Sequence, residues 1–180
     1  MKKNRNWIIV FVVLAVLGVL AVGMNLAYNS TEPLTLEKLN AARDLWAQKR
    51  PPNYDLKIIF SKTYSSSDGT TGTVLDKFAV EVRAGKVTGF TINGKEPEPL
   101  LDEKGQRKLA EEQAQKESYD IAGLFDSIEE LMERDRRDHR TTYILGRFAN
   151  KTDGHLVRFT RQFQGRREQH IQVELTTAKE

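Results

Sequence analysis

An uninterrupted apolar segment stands close to the start of the chain. Residues 8–22 contain no charged or polar side chain, and twelve of these fifteen are Val, Leu, Ile or Phe. Such a run lacks the amphipathic period of a surface helix and favours a bilayer. Trp7 and Tyr28 bracket it, and a helix between them would rise about 31 Å, close to the thickness of a bilayer core. Residues 7–28 are therefore predicted to form a transmembrane helix. The predicted lipid-facing side chains are Trp7, Ile8, Phe11, Leu14, Leu17, Leu20 and Tyr28.

The charges around this segment predict its orientation. Three basic residues stand within residues 1–6, and no acidic residue precedes Glu32. The positive-inside rule keeps residues 1–6 in the cytoplasm and places the rest of the chain outside it. The predicted location is the cell membrane, crossed once, with an extracytoplasmic C-terminal domain. A second interpretation stays open, a cleaved signal peptide with Ala21-Val22-Gly23 as the small-x-small cleavage site.

Downstream of a polar stem at residues 29–34, the apolar period changes from helical to alternating. Apolar residues from Leu36 to Trp46 fall on one side of a helix that Thr35 would cap and that would continue to about Lys49. Alternation then predicts three strands, because apolar and polar side chains exchange at every second position. These strands cover residues 54–61, 74–83 and 87–92.

The second half of the sequence repeats this order of elements. Residues 95–118 are highly charged and are predicted to form either a surface helix over about 104–117 or a mobile loop. Asp120 would cap the next helix, whose apolar residues up to Met132 occupy an arc of about 120°. Three more strands are predicted at 142–148, 156–163 and 168–176.

The predicted fold class is α+β. A transmembrane helix is followed by an antiparallel sheet of about six strands with helices on one face, in a domain covering residues 35–176. The unit of one helix and three strands occurs twice. This repetition is explained either by a duplication or by a coincidence in the order of elements.

Composition and charge exclude several classes of protein. The first 31 residues hold three of the 28 basic residues and no acid, so the remaining 25 basic residues balance 25 acidic ones. A neutral domain has no excess of cations for phosphates along its surface, which excludes a general nucleic-acid-binding role. The chain has no cysteine, which excludes disulfides, thiolate metal sites and a lipidated N-terminal cysteine.

No motif predicts catalysis, a metal site or a cofactor. His139, His155 and His170 lack metal-ligand spacing and are predicted to be exposed near strand ends. The glycine-rich residues 68–72 lack the Gly-Lys-Ser/Thr sequence of a phosphate-binding loop.

A local excess of basic residues is the strongest sign of a binding surface. Residues 134–170 hold nine arginines and one lysine against four acidic residues. The side chains predicted to form a surface for an anion or a partner are Arg147, Arg158, Arg166 and Arg167. The alternative is that these arginines lie on a solvated sheet face or pair with Glu111, Glu112 and Glu117. Arg161 is in phase with Phe159 and is predicted to be partly buried with a partner.

Three landmarks together resemble a known family. They are Leu45-Trp46 followed by Tyr54, FAVEVRAGKV at 78–87 and DIAGLFDSIEEL at 120–131. The chain resembles bacterial exported domains of unknown function, often lipoproteins, with Trp…Tyr, V-x-V-x-x-G-x-V and T-I-x-x-L-F-D-x-I patterns. The resemblance covers about residues 40–176 and implies topology and location but no activity. Members often carry cysteines after the first strand, where this chain has Ser65-Ser66-Ser67-Asp68.

These observations predict a membrane-anchored, non-catalytic binding or scaffold module of the cell envelope. Its predicted partners are the lipid bilayer and an envelope protein or anionic polymer, contacted through an exposed sheet face or residues 95–118. The alternative is an extracytoplasmic enzyme whose cleft the sequence does not reveal.

Overall fold

Seven strands of the chain pair side by side in one antiparallel sheet. The computed structural model describes residues 31–65, 70–164 and 166–178. The order across the sheet is β1-β5-β6-β7-β2-β3-β4. Two meanders, β2–β3–β4 and β5–β6–β7, are thus joined where β7 lies beside β2. The strands are β1 Glu32–Pro33, β2 Tyr54–Ser65, β3 Thr71–Arg83, β4 Lys86–Ile92, β5 Thr142–Phe148, β6 Leu156–Phe163 and β7 Arg166–Thr177.

Within the described ranges, three helices connect these strands, and local sequence explains where two of them begin. They are α1 Leu36–Lys49, α2 Leu109–Glu117 and α3 Ile121–Arg137. The Thr35 hydroxyl accepts a hydrogen bond from the Lys38 backbone N–H at 3.2 Å. Asp120 accepts one from the Ile121 N–H at 2.7 Å. Both side chains satisfy N–H groups that a helix start leaves without an internal partner, so both predicted N-caps are confirmed.

The core lies between α1, α3 and one face of the sheet, which we call the inner face. Alternation places Leu56 and Ile58 of β2 on this face, and each is 1% exposed. The Trp46 ring of α1 meets the Tyr54 ring of β2 edge-on at 5.3 Å. The Tyr54 hydroxyl donates to Asp120 at the start of α3, at 2.6 Å. Both helices therefore pack on the same side of the sheet.

The predicted fold class is wrong in the number of strands. The sheet has seven strands rather than about six, because part of the predicted stem pairs with β5 at the sheet edge. Glu32 lies opposite Gly146 and Pro33 opposite Leu145. A strand of two residues is too short to show alternation of apolar and polar side chains, so the hydrophobic pattern could not reveal β1. Its Pro33 fits an edge strand, because proline in sheets is confined to edges and strand starts.

The predicted transmembrane helix is also not part of the fold seen here. Across the described ranges, no helix is both long and apolar enough to cross a membrane. Residues 7–28, on which that prediction was based, lie outside these ranges. The membrane-spanning part of the predicted fold class is therefore withdrawn. An apolar run predicts a spanning helix only from its length and composition.

The charged segment at 95–118 is a loop followed by a short helix. The helix α2 begins at Leu109, about five residues later than predicted. The loop before it closes on itself, because the Glu112 carboxylate accepts hydrogen bonds from the Leu100 N–H at 3.0 Å and from Arg107 at 2.7 Å. The Arg107 hydrogen bond also lowers the pKa of Glu112.

Candidate anion-binding cleft

The inner face of the sheet changes from apolar to charged along the strands. In its apolar part, Ile171 of β7 lies between Phe60 of β2 and Phe159 of β6. Two residues further along each strand, Gln169 lies between Lys62 and Arg161. Because alternate side chains share a face, this second row also points towards the helix layer. Charged side chains at core-facing positions mark this end of the sheet as unusual.

Arg161 forms a buried ion pair with Asp135 near the end of α3. Its Nε lies 2.7 Å from Asp135 Oδ2 and its Nη2 lies 2.5 Å from Oδ1, a bidentate arrangement. The Arg161 side chain is 6% exposed and that of Asp135 is 5% exposed. Thr142 donates a further hydrogen bond to Asp135 Oδ2 at 2.9 Å. The pair fixes α3 to the sheet.

An irregularity between β6 and β7 brings a second carboxylate to Arg161. Arg161 lies opposite Gln169, whereas the next residue, Gln162, lies opposite Arg167. This leaves Glu168 as an extra residue in β7, the arrangement of a β-bulge. The Glu168 carboxylate pairs with Nη1 of Arg161. A bulge commonly redirects a side chain next to a binding site, and here it completes a three-residue cluster.

The charges of Asp135 and Arg161 are held fixed. Burial alone would raise the pKa of the Asp135 carboxyl, but hydrogen bonds from Arg161 and Thr142 outweigh burial and lower it. The hydrogen bond to Asp135 raises the pKa of Arg161 above its ordinary value. Asp135 is therefore an anion and Arg161 a cation at neutral pH.

A cleft of about 550 Å³ opens beside this cluster, between the C-terminal end of α3 and the ends of β2, β6 and β7. Three acidic residues line it, Asp135, Asp138 and Glu168. Six basic residues line it as well, so the cleft carries an excess of three positive charges. The basic residues are Lys62, Arg134, Arg140, Arg161, Arg166 and Arg167.

Three of these cations are available to a ligand. Lys62, Arg166 and Arg167 are exposed. None of the three pairs with a carboxylate in the part of the chain that the structure describes. Arg140 and Phe163 also line the cleft, and the Arg140 guanidinium lies 5.6 Å from the centre of the Phe163 ring.

An apolar groove of about 240 Å³ adjoins the cleft. Leu131 and Gln169 line both spaces. The groove lies between α3 and the inner face, with the buried Ile58, Ile128 and Phe159 among its lining residues. Near its other end, the Tyr119 ring stacks on Phe78 at 4.3 Å. The cleft and the groove are therefore neighbouring spaces that share Leu131 and Gln169 and differ in polarity.

The structure brings together two of the four arginines predicted to form a binding surface. Arg166 lines the cleft from the inner face, whereas Arg167 lies at its border, because it is opposite Gln162 on the face that carries His170. Arg147 and Arg158 instead lie opposite each other on β5 and β6, on the other face of the sheet. The Arg158 Nε atom is buried and has no hydrogen-bond partner among the described residues. The predicted surface is thus two separate regions.

The alternative account of these arginines is wrong in its partners. Glu112 pairs with Arg107 and Glu111 with Lys108, both within the same loop and helix. Glu117 accepts a hydrogen bond from Gln113 at 2.8 Å. Local partners are closer in sequence, so their pairing costs less chain entropy than pairing with distant arginines.

Sequence reasoning missed Lys62 and Asp135, although each interrupts an apolar pattern. Lys62 follows Ile58 and Phe60 on β2 at every second position, and it therefore lies on the same inner face of the sheet. Asp135 follows Leu131 by four residues and so lies on the buried side of α3. In both cases the sequence contained a signal, namely a polar residue at a position where the hydrophobic pattern predicts an apolar one. By contrast, the prediction that Arg161 is partly buried with a partner is confirmed.

None of the three histidines lines the cleft. His139 is exposed as predicted, but His155 and His170 are half-buried. His155 Nδ1 lies 2.5 Å from Asp153 Oδ1. His170 Nδ1 lies 2.9 Å from the Thr160 hydroxyl, and burial together with Arg167 and Arg158 lowers its pKa. Within residues 31–65, 70–164 and 166–178, no three His, Cys, Asp or Glu side chains are placed to hold a metal ion.

Comparison with known proteins gives no match. No family model matches the chain, and no curated protein and no solved structure is significantly similar to it. The resemblance to exported domains of unknown function stays a prediction. The predicted anchoring side chains lie outside the described residues; they are Trp7, Ile8, Phe11, Leu14, Leu17, Leu20 and Tyr28.

Proposed function

We propose that this domain is a non-catalytic binding or scaffold module of the cell envelope, and that it holds an anionic group of its partner in the cleft. The observation that carries the proposal is a set of exposed cations without a carboxylate partner around one concave space: Lys62 and Arg166 on the inner face, and Arg167 at the border of the cleft. A cleft with an excess of one sign of charge concentrates oppositely charged ligands.

The buried cluster beneath these cations supports recognition of a ligand by a rigid site. Arg161, Asp135 and Glu168 tie β6, β7 and α3 together under the cleft. Two carboxylates already pair with Arg161 and leave the cluster with one net negative charge, so an entering anion would be attracted by the exposed cations rather than by Arg161. A site held in place before binding loses less conformational entropy when the ligand arrives.

The same cluster favours binding over proton-transfer catalysis. A general acid or base works best with a pKa near the working pH. The pKa of Asp135 is lowered and the pKa of Arg161 is raised, so both move away from neutrality. Neither group can exchange a proton readily at neutral pH, which supports a binding role for this cleft.

Location outside the cytoplasm is part of the proposal and has its own test. It is supported by the apolar run at 8–22 and by the basic residues within 1–6. A reporter enzyme that folds only outside the cytoplasm, fused after Glu180, should be active. Activity of the complementary cytosolic reporter at the same position would contradict the location.

Binding of short-chain polyphosphate to the full-length chain tests the cleft. The variant Lys62→Gln/Arg166→Gln/Arg167→Gln removes three exposed charges and leaves the buried cluster intact. Each charge contributes on the order of 0.5–1 kcal/mol near a surface, so affinity should fall roughly tenfold or more. Isothermal titration calorimetry at low salt measures this, and higher salt should weaken wild-type binding.

A matched control distinguishes the cleft from net charge. Lys57→Gln/Lys77→Gln/Lys86→Gln removes the same charge from exposed positions on β2, β3 and β4 that do not line the cleft. This control should keep nearly the wild-type affinity. Equal losses in the two variants would contradict a specific cleft.

A further inference from the structure

We propose that the cleft and the groove together bind a lipid phosphate with a single acyl or alkyl chain. The phosphate would occupy the cleft and the chain would occupy the groove. This inference rests on the proposed function, because it names the anionic group as a phosphate and adds an apolar tail that the proposed function does not require.

The two spaces are placed as head and tail of one ligand require. Leu131 of α3 and Gln169 of β7 line both of them. The charged row of Lys62 and Arg161 lies two residues beyond the apolar row of Phe60 and Phe159. At about 3.3 Å per strand residue, this is roughly 7 Å along the sheet. A ligand in both spaces would pass from phosphate to hydrocarbon over that distance.

The groove has apolar surface that a hydrocarbon chain would remove from water. Phe60, Tyr119 and Leu131 are all only half-buried, although each packs against the core. The exposed Ser127 also lines the groove and marks its solvent side. Covering such surface is favourable by about 25 cal/mol per Å². The core is thus incomplete at this position in a way that a chain of methylenes would complete.

The size of the groove favours one chain over two. Its volume of about 240 Å³ is small. Pockets that enclose drug-sized ligands have roughly 300–1,000 Å³. A single unbranched chain suits the narrow space between α3 and the inner face better than a pair of chains.

The cations of the cleft favour a phosphate over a carboxylate. A phosphate monoester carries about −1.5 to −2 charges at neutral pH and three acceptor oxygens. Lys62 and Arg166 together offer about that much positive charge without a carboxylate partner, and Arg167 adds to it from the border of the cleft. Arginine also donates two parallel hydrogen bonds to phosphate oxygens. A carboxylate would leave part of this charge without a partner.

Titration with alkyl phosphates of increasing length tests the proposal on the full-length chain. Butyl, hexyl, octyl and decyl phosphate, each below its micelle concentration, serve as probes. Affinity should rise by up to about fourfold for each methylene that enters the groove, since burying one contributes about 0.8 kcal/mol, and should then level off. Affinity that does not depend on chain length would overturn the proposal.

Two ligand controls separate the contributions of head and tail. Nonanoate should bind more weakly than octyl phosphate, because it carries a single charge. Octyl glucoside, which has no charge, should bind far more weakly than either. Equal affinity for nonanoate would overturn the phosphate assignment, and equal affinity for octyl glucoside would overturn any role of the cations.

A pair of exposed substitutions on α3 locates the tail without disturbing the core. Ser127→Trp places a large side chain at the groove and should shorten the chain length at which affinity levels off. Ala122→Trp changes an exposed residue of the same helix that does not line the groove, and should leave the series unchanged. An identical series in both variants would contradict the placement of the tail.

The outcome also separates this inference from the proposed function. Suppose that polyphosphate binding depends on Lys62, Arg166 and Arg167 while the alkyl phosphate series shows no length dependence. The cleft is then an anion site, and only the lipid inference fails. If the triple variant changes neither measurement, both proposals fail.

Discussion

The helix α3 is joined to the sheet by a buried polar contact at each end, and the two contacts differ in kind. At its start, the Tyr54 hydroxyl donates to the Asp120 carboxylate at 2.6 Å. Near its end, Arg161 and Asp135 form a bidentate ion pair. Apolar side chains surround the first contact, whereas the second lies at the edge of the cleft.

This difference separates a contact that serves the fold from one that also shapes a site. Tyr54 contributes an aromatic ring to the core and needs only one partner for its hydroxyl. Arg161 buries a full charge, and replacing a buried ion pair by apolar residues is often neutral or stabilising. Stability alone therefore gives no reason to retain Arg161 at this position. Its value lies in holding the walls of the cleft under the exposed cations.

The largest effect should follow from breaking the ion pair on one side. Arg161→Met leaves the Asp135 carboxylate buried without its main partner, and the free energy of unfolding should fall by about 3–5 kcal/mol. Urea denaturation followed by circular dichroism measures the change. A loss below about 1 kcal/mol would mean that Asp135 is not buried as the structure shows.

Replacing both partners should largely reverse this loss. In Arg161→Met/Asp135→Leu no fully buried charge is left unpaired, since Glu168, which also loses its partner, is 32% exposed. The free energy of unfolding should therefore return close to the wild-type value. The double variant should nevertheless bind polyphosphate more weakly, because the cleft loses its internal support. Full retention of polyphosphate binding would show that the ion pair does not shape the cleft.

A smaller loss should follow at the other end of α3. Tyr54→Phe removes the hydrogen bond to Asp120 and keeps the ring that packs on Trp46. A hydrogen bond to a charged group contributes about 1.5–3 kcal/mol, and the free energy of unfolding should fall within that range. Polyphosphate affinity should not change. If it fell as it does in the cleft variants, the two ends would not be functionally distinct.

The smallest predicted effect is on how the free energy of unfolding depends on acidic pH. The folded protein lowers the pKa of Asp135 below the ordinary carboxyl value, so the unfolded chain binds this proton more readily. The resulting stabilisation is complete above the unfolded pKa, near 4, and is lost as the pH falls through the lower folded pKa. One proton changes the slope by at most about 1.4 kcal/mol per pH unit.

This prediction is tested by measuring the free energy of unfolding of wild type and of Arg161→Met/Asp135→Leu between pH 6 and pH 2. Wild type should lose more stability below pH 4 than the double variant, since the other acidic groups are common to both. Parallel curves would show that Asp135 does not titrate differently in the folded state.

The elements that the sequence predicts best are those with a hydrophobic pattern long enough to recognise in the sequence. The bounds predicted for the strands at 142–148 and 156–163 are those observed. The amphipathic α3 also begins after Asp120 as predicted. Elements without such a pattern were predicted poorly. The strand β1 was missed because it has only two residues. The helix α2 starts later than predicted because residues 101–107 form a closed loop.

The cleft was harder to predict than the fold because its parts are far apart in the chain. The pairing of β2 with β7 brings Lys62 to Gln169, a contact that no local period encodes. Arg161 stood out, because a charge in phase with Phe159 requires a buried partner. Its partner could not be identified as Asp135, since the sequence offered many carboxylates and no register between α3 and β6.

Hydrogen exchange of the full-length chain with octyl phosphate tests the central claim most directly. Mass spectrometry of peptides covering residues 127–138 and 159–170 should show slower exchange when the ligand is bound, because it contacts both the end of α3 and the turn of β6 and β7. Peptides covering residues 86–94, which include β4 and lie away from the cleft, should exchange as before. Slower exchange confined to residues 86–94, or no change at either region, would contradict a binding site at the charged end of the inner face.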